Sequence, residues 1–287
     1  MREQNYLDNL VGVFGHPAAE NPGVVIQEAA FRDLGLERWR FLTIDVEPDR
    51  LGDAILGLKA MKFRGINCTI PHKIEVLKYI DKVAPSAKLI GAVNTIINDE
   101  GLLTGENTDG QGFMIALENA GVAAKGKNVV VLGAGGAARA ICVELALAGA
   151  RHLTIVNIPK DMALGEGLVT ILKENTEVEV DYVPWVDKFR IPAGTDILVN
   201  ATSIGLYPNV DDKPNIDYDT IAADTYVQDV IPNPAFTPFL READRRGLRW
   251  QSGMQMLINQ AALNITMWTG LKPNKDVMLK ALEKALS

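Results

Sequence analysis

The sequence predicts an α/β protein of two domains, and three observations predict it. Strand-like and helix-like segments alternate from residue 10 onward, a glycine-rich corner opens a second alternating series near residue 128, and everything after residue 253 is helical.

In the first series LVGVF (10–14) reads as a strand, followed by a helix around Val24 to Leu34 and the strand FLTIDV (41–46). A helix around Arg50 to Met61, the strand GINCTI (65–70), a helix from about His72 and the strand VNTIIN (93–98) come next. Such alternation is the pattern of βαβ units. After GENTDG a helical pattern over Phe113 to Asn119 leads through the polar spacer AAKGKN into NVVVLG (128–133). A helix to Ala148, LTIVN, a helix near Met162 to Lys173, VEVDYV and ILVNAT continue the second series. It closes with TYVQDVI, a helix from about Thr237 to Arg246 and the short RWQ.

Two terminal helices, MQMLINQAALNITMW and DVMLKALEKALS, follow a finished α/β series and need an apolar face to cover; folding back on the first domain supplies one. The expected divisions are 1–112, 113–250 and 251–287.

The chain has 287 residues, 47% hydrophobic and 23% charged, the balance of a globular protein with a sizeable core. A formal net charge of −7, with no long run of Lys and Arg, opposes phosphate backbones and anionic membranes, so nucleic acid and membrane are not expected partners. The polar N-terminus lacks the apolar stretch of a signal peptide and no window has the ~18 apolar residues of a membrane span, which makes the expected location cytoplasmic. Cys68 and Cys142 lie in apolar stretches and read as reduced, buried thiols. The three histidines are scattered, so no metal site is expected.

Gly133, Gly135 and Ala138 form GxGxxA between an apolar strand and a helix whose apolar face is Ile141, Leu145 and Ala148. The first glycine allows a tight turn, the second lets a pyrophosphate approach the backbone, and the small third residue lets helix and strand pack closely. Free N–H groups at the helix start, in the loop Gly133, Ala134, Gly135, Gly136 and Ala137, would hold the pyrophosphate of a dinucleotide. The next strand ends at Val156-Asn157 and continues NIPKD, with neither an acidic residue nor an arginine at the ribose-reading position. Asn157 or Asp161 can reach ribose hydroxyls and Lys160 can meet a 2′-phosphate; without an arginine fork the expectation leans to NAD over NADP.

In the first domain NCTIPHK (67–73) runs from a strand end into a helix, placing Lys73 in a first helical turn, where the positive end of the macrodipole favours a lysine able to exchange its proton. Most lysines are solvated surface charges, and this one gains interest from its neighbours in sequence. AVNT (92–95) and NTDG (107–110) read as polar turns beside apolar runs. An Asp working with a Lys can serve alcohol oxidation: one group holds the hydroxyl while the other exchanges its proton.

The order of motifs NCTIPHK, GAVNTI, GENTDGQGF, VLGAGGAARA, NATSIGL and GMQMLINQAALNITMWTG resembles the shikimate/quinate dehydrogenase family from about residue 10 to 272. The resemblance implies an N-terminal substrate-binding domain completed by the C-terminal helices, with a Rossmann NAD(P)-binding domain between. It implies Lys73 and Asp109 as the catalytic pair, and Thr69, Asn94 and Gln260 as contacts to substrate hydroxyls. Asn200, Thr202 and Ser203 then lie beside the cofactor, and Gly253 near the nicotinamide. The implied protein is a monomer or homodimer acting on a small cyclic polyol.

Three departures stand out. The family usually writes its first corner G-x-P-x-x-H-S-x-S-P-x-x-H-N-A, whose two serines bind the substrate carboxylate; here GHPAAENPGVVIQEA puts Asn21 and Gly23 at the serine positions and Glu20 at the first histidine. Pro232 stands where a tyrosine usually follows VQDV, and NIPKD lacks the arginine of the family's NADP-binding N-R-T. A hydrogen bond to a charged group contributes about 1.5–3 kcal/mol, so losing two serines weakens a carboxylate unless Asn21 and backbone N–H groups replace them. Three readings follow: poor use of shikimate or quinate, oxidation of a related polyol without that carboxylate or bearing an amine for Glu20, or a dinucleotide-dependent sensor without turnover.

Overall fold

The computed structural model describes residues 6–19 and 21–286 and divides into two compact units, Met1–Thr108 with Gln260–Ser287, and Asp109–Asn259. Glu20, the acidic residue singled out in the first corner, lies outside the described residues.

The first unit is built on β1 (Asn9–Gly15), α1 (Gly23–Asp33), β2 (Trp39–Asp45), α2 (Leu51–Ala60), β3 (Gly65–Cys68) and the single-turn α3 (His72–Glu75). It continues with β4 (Lys82–Val83), α4 (Pro85–Ile90), β5 (Thr95–Asp99) and β6 (Leu102–Glu106). Its sheet runs β2-β1-β3-β5-β6-β4. β1 is parallel to β2 and β3, as βαβ alternation requires, but β5 is antiparallel to both β3 and β6. The alternation did not predict this reversal. The β5–β6 part of it is a two-residue hairpin: Asp99 pairs with Leu102, and Glu100 and Gly101 between them both have positive φ (49° and 95°), which suits the twist of a tight turn.

Leu51, Ile55 and Leu58 of α2 pack with Phe14, Ile66 and Ile96 of the sheet in one apolar core. The C-terminal segment folds back here as expected. α10 (Lys275–Leu286) lies along α1, and Trp268 donates its indole N–H to the Ile96 carbonyl at 3.0 Å. Gly65 makes room for that ring, since a Cβ there would collide with Trp268 Nε1.

The second unit holds most of α5 (Thr108–Asn119), then β7 (Asn128–Leu132), α6 (Gly136–Leu147), β8 (His152–Asn157), α7 (Met162–Asn175) and β9 (Glu179–Pro184). The small β10 (Phe189–Arg190) and β12 (Ile216–Asp217) pair with each other. β11 (Ile197–Asn200), β13 (Tyr226–Asp229), α8 (Pro238–Arg245) and β14 (Trp250–Gln251) follow, and α9 (Gly253–Thr269) begins in this unit. The sheet order β14-β13-β11-β7-β8-β9, all parallel, is the doubly wound Rossmann arrangement, with its topological switch between β7 and β11.

The divisions between units fall at 108/109 and 259/260, against 112/113 and 250/251 expected. Both fall inside helices. α5 starts five residues before its apolar pattern at Phe113, because the Asn94 side-chain oxygen accepts the Thr108 N–H at 2.8 Å; Thr108, Asp109 and Gly110, expected in a turn, form the first helical turn instead. α9 opens at Gly253, so close to the Val230 backbone that a Cβ would collide with its carbonyl, and this holds its first residues to the second unit.

Candidate active site

The first corner follows β1. Asp45, at the end of the neighbouring β2, reaches across it: Oδ2 accepts the Ala18 N–H at 2.8 Å and Oδ1 meets His16 Nδ1 at 2.7 Å. These two hydrogen bonds, the His16 bond first, hold the Asp45 carboxyl below the usual carboxylate range. Asn21 turns its side-chain oxygen back to accept the Gly23 N–H at 2.9 Å and so organises the start of α1. The His16, Asn21 and Val25 N–H groups bond to the carbonyls of Ile70, Ala18 and Pro22.

Thr69 sits beside this corner, its methyl group close enough to Gly15 to exclude a Cβ there. Buried His72 supports the same region, its Nε2 lying 2.7 Å from the Val46 carbonyl. Lys73 is half-buried on α3, and its charge draws down the Cys68 thiol, although burial dominates and pushes that thiol up to about 12. Because α3 is one turn long, the macrodipole argument for Lys73 has little helix behind it.

Behind these residues lies a buried polar network. Asn94 donates to Thr108 Oγ1 at 3.0 Å, and Asn67 donates to Thr95 Oγ1 at 3.0 Å. Both threonine hydroxyls reach Asn264 Oδ1 at 2.8 Å, and Asn264 Nδ2 reaches Gln260 Oε1 at 3.1 Å. Asn94 and Gln260 were expected as substrate contacts; Thr95, Thr108 and Asn264 were not singled out. The signal available for Asn264 was a second amide one turn after Gln260, which places the two on one face of the same helix.

In the second unit the glycine corner meets the requirements of a dinucleotide. Gly133 has φ +104°, and a Cβ would lie 2.9 Å from the Ala201 carbonyl oxygen, so the turn admits only glycine. Above Gly135 and Gly136 a Cβ would meet nothing within 4 Å, and the twelve-residue α6 has neither a side-chain cap nor an acidic residue in its first turn. Open space over uncapped N–H groups suits a pyrophosphate. Asn157 ends β8 with its side chain donating to the Asp161 carbonyl at 3.0 Å.

Next to the corner, across the switch point, Asn200 Oδ1 accepts from Thr202 Oγ1 at 2.7 Å, and Thr202 Oγ1 accepts the Ile204 N–H at 3.1 Å; Ser203 lies within this turn. Asn200 Nδ2 donates to buried Asp229 at 3.2 Å. Asp229 also accepts from Thr237 Oγ1 at 2.6 Å and the Ile231 N–H at 3.1 Å, yet burial pushes its carboxyl up to about 6. Sequence reading missed Asp229, which lies in the quoted VQDV. Asp109 is the first residue of this unit.

Among the described residues no cluster of His, Cys, Asp and Glu could hold a metal, and no helix is long and apolar enough to cross a membrane.

A doubly wound unit with a pyrophosphate corner, joined in one chain to a unit lined with hydroxyl- and amide-bearing side chains, defines a nicotinamide-dependent oxidoreductase. The shikimate dehydrogenase substrate-binding domain model matches residues 13–96, and the shikimate 5′-dehydrogenase C-terminal domain model matches residues 253–283. Shikimate dehydrogenase (NADP(+)) of Methanococcus aeolicus is 40% identical over 97% of this chain and 98% of its own. The chain belongs to the shikimate dehydrogenase family. Among solved structures it resembles ligand-free 5-ketofructose reductase of Gluconobacter sp. strain CHM43, at 44% identity and TM-score 0.92, covering 98% of this chain and 100% of that one. It also resembles shikimate 5-dehydrogenase of Listeria monocytogenes, in complex with shikimate and NAD, at 31% identity and TM-score 0.90, covering 99% of each.

Proposed function

We propose that the chain is an NADPH-dependent reductase of a neutral polyhydroxy ketone, with 5-ketofructose the first substrate to try, and that it runs reversibly toward oxidation of the corresponding secondary alcohol. The observation that carries this reading is the first corner. Its serine hydroxyls are absent, the oxygen of Asn21 is spent on Gly23, and the N–H groups of His16, Ala18, Asn21, Gly23 and Val25 already have acceptors. Asp45 adds a negative charge, so a substrate carboxylate would meet few donors and one repulsive neighbour. The likeness to 5-ketofructose reductase supports the same direction.

Lys73 is the proton donor in reduction: its ammonium gives a proton to the carbonyl oxygen as the carbon becomes a secondary alcohol, and solvent restores it. Asp109 fixes the orientation of that oxygen and of Lys73. Thr69, Asn94 and Gln260 hold the neighbouring hydroxyls, and Asn21 and Gly23 shape the end where other family members read a carboxylate. Gly133, Ala134, Gly135, Gly136 and Ala137 would hold the pyrophosphate, with Asn157 toward the ribose and Asn200, Thr202, Ser203 and Gly253 flanking the rest of the dinucleotide. Bound NADPH supplies the hydride. NADP(H) is favoured over the NAD of the sequence expectation because relatives such as that of Methanococcus aeolicus are named for NADP(+), and exposed Lys160 offers a cation for the 2′-phosphate.

The test is loss of NADPH absorbance with 5-ketofructose, set against NADP⁺ reduction with shikimate and quinate. A kcat/KM for 5-ketofructose at least ~100-fold above that for shikimate is expected; the reverse ranking would return the chain to carboxylate chemistry. Turnover of any of the three excludes a sensor without activity.

A further inference from the structure

We infer that Asn264 is a positioning residue that sets which end of the Gln260 carboxamide faces the substrate. The inference rests on the reading that Gln260 is a substrate contact.

The hydrogen-bond count fixes the Asn264 amide. Each of Thr95 and Thr108 has one hydroxyl proton, and Asn264 Oδ1 lies 2.8 Å from both oxygens. Asn67 and Asn94 donate into the same two hydroxyls from the other side. If the Asn264 amide were reversed, each threonine oxygen would accept two amide N–H groups and could not take the other's proton across their 3.3 Å contact, so both hydroxyl protons would turn to Asn94 Oδ1, at 3.0 and 3.2 Å, which already accepts the Thr108 N–H at 2.8 Å. Three donors would then compete for the two lone pairs of one carbonyl. With the amide as it stands, the two hydroxyl protons take the two lone pairs of Asn264 Oδ1, and Asn94 Oδ1 keeps the Thr108 N–H.

Asn264 Nδ2 therefore points at Gln260 and must be met by an acceptor, which makes the near atom of Gln260 its oxygen. The Gln260 amide group is left outward. It has no protein acceptor among the described residues and is not sealed from solvent. Gln260 thus offers the substrate two N–H donors and no acceptor, reading a carbonyl or hydroxyl oxygen by its lone pairs. Asn264 is buried, and its Nδ2 is bonded to Gln260 while its Oδ1 holds Thr95 and Thr108, so the donating face of the residue bears on Gln260.

Asn264→Asp separates the two faces of the residue. An aspartate still accepts from Thr95 and Thr108 but cannot donate to Gln260, which must turn its own amide group inward and present its oxygen to the substrate. A double-mutant cycle with Gln260→Ala reads the consequence. Asn264→Asp is expected to raise KM for 5-ketofructose about ten-fold or more when Gln260 is present and by less than about two-fold when it is Ala, with KM for NADPH held within about two-fold in both. An equal rise in both backgrounds would overturn the inference. Failure of the functional reading is seen separately, as unmutated protein that does not turn over 5-ketofructose. In that event the side-chain amide resonances of Gln260 in ligand-free protein still decide: they move in Asn264→Asp if Asn264 sets its orientation, and unmoved signals refute it.

Discussion

Asp45 and Ala18 are bound carboxylate to backbone at 2.8 Å, so the donor that a first-corner ligand would find at Ala18 is already held by an anion of the protein itself. The same carboxylate takes the His16 ring, and with its ionisation favoured by both partners it stays charged through the neutral range. The Gly23 N–H of the same corner is likewise taken by a side-chain oxygen, that of Asn21.

Restoring the two serines tests that corner. Gly23→Ser alone would crowd the Asn21 oxygen, 2.8 Å from its new Cβ, so the substitution belongs with Asn21→Ser. The pair is expected to raise kcat/KM for shikimate by roughly ten-fold or more, as two hydroxyls can do for a carboxylate, while leaving 5-ketofructose unimproved. An unchanged shikimate rate would mean that no carboxylate is read at these positions.

Lys73→Ala and Asp109→Asn are each expected to lower kcat about 10²- to 10⁴-fold on the best substrate, with cofactor affinity nearly unchanged. Steady-state kinetics with cofactor titration checks this, and a kcat within a few-fold of the parent for either variant would remove that residue from the chemistry.

Cofactor choice turns on Lys160. Lys160→Ala is expected to raise KM for NADPH about five- to ten-fold and leave KM for NADH within about two-fold, since only the former carries the 2′-phosphate. Equal effects on both cofactors would place the lysine away from that phosphate.

Asp229 gives a stability prediction with a definite sign. Its folded-state carboxyl titrates near 6, above the ordinary 3.8, because burial outweighs the bonds from Thr237, Ile231 and Asn200. The folded protein therefore holds this proton more tightly than the unfolded chain. The stabilisation from the neutral form is complete below about pH 4 and is lost as pH rises through about 6, amounting to about 2–3 kcal/mol. Thermal melts of the parent and Asp229→Asn between pH 4 and 7 should show the parent losing ground to the variant as pH rises; parallel curves would contradict the shift.

The alternation of segments and the GxGxxA corner made the doubly wound unit legible almost strand by strand, because buried parallel strands are short apolar runs and their glycines have one steric reason each. The antiparallel β5 was hidden by attention to apolar runs, although Glu100-Gly101 carried the turn signal. The early start of α5 was hidden for another reason: its first N–H is met by Asn94, fourteen residues upstream, and such a cap leaves no local pattern. Lys73, Asp109, Asn94 and Gln260 were found through the family's motifs. Thr95, Thr108 and Asn264 were not, because their role lies in bonds spanning more than 150 residues of sequence, which spacing does not reveal.

The first unit is discontinuous: Trp268, Asn264 and α10 reach its sheet only after residues 109–259 have intervened. On a ribosome the dinucleotide unit emerges whole and can fold during synthesis, whereas the unit begun first stays unfinished until the last helices leave the exit tunnel. Polypeptide released between residues 260 and 267 would carry the whole cofactor unit together with a first-unit sheet that lacks Trp268 and α10, an apolar surface that quality-control proteases can recognise.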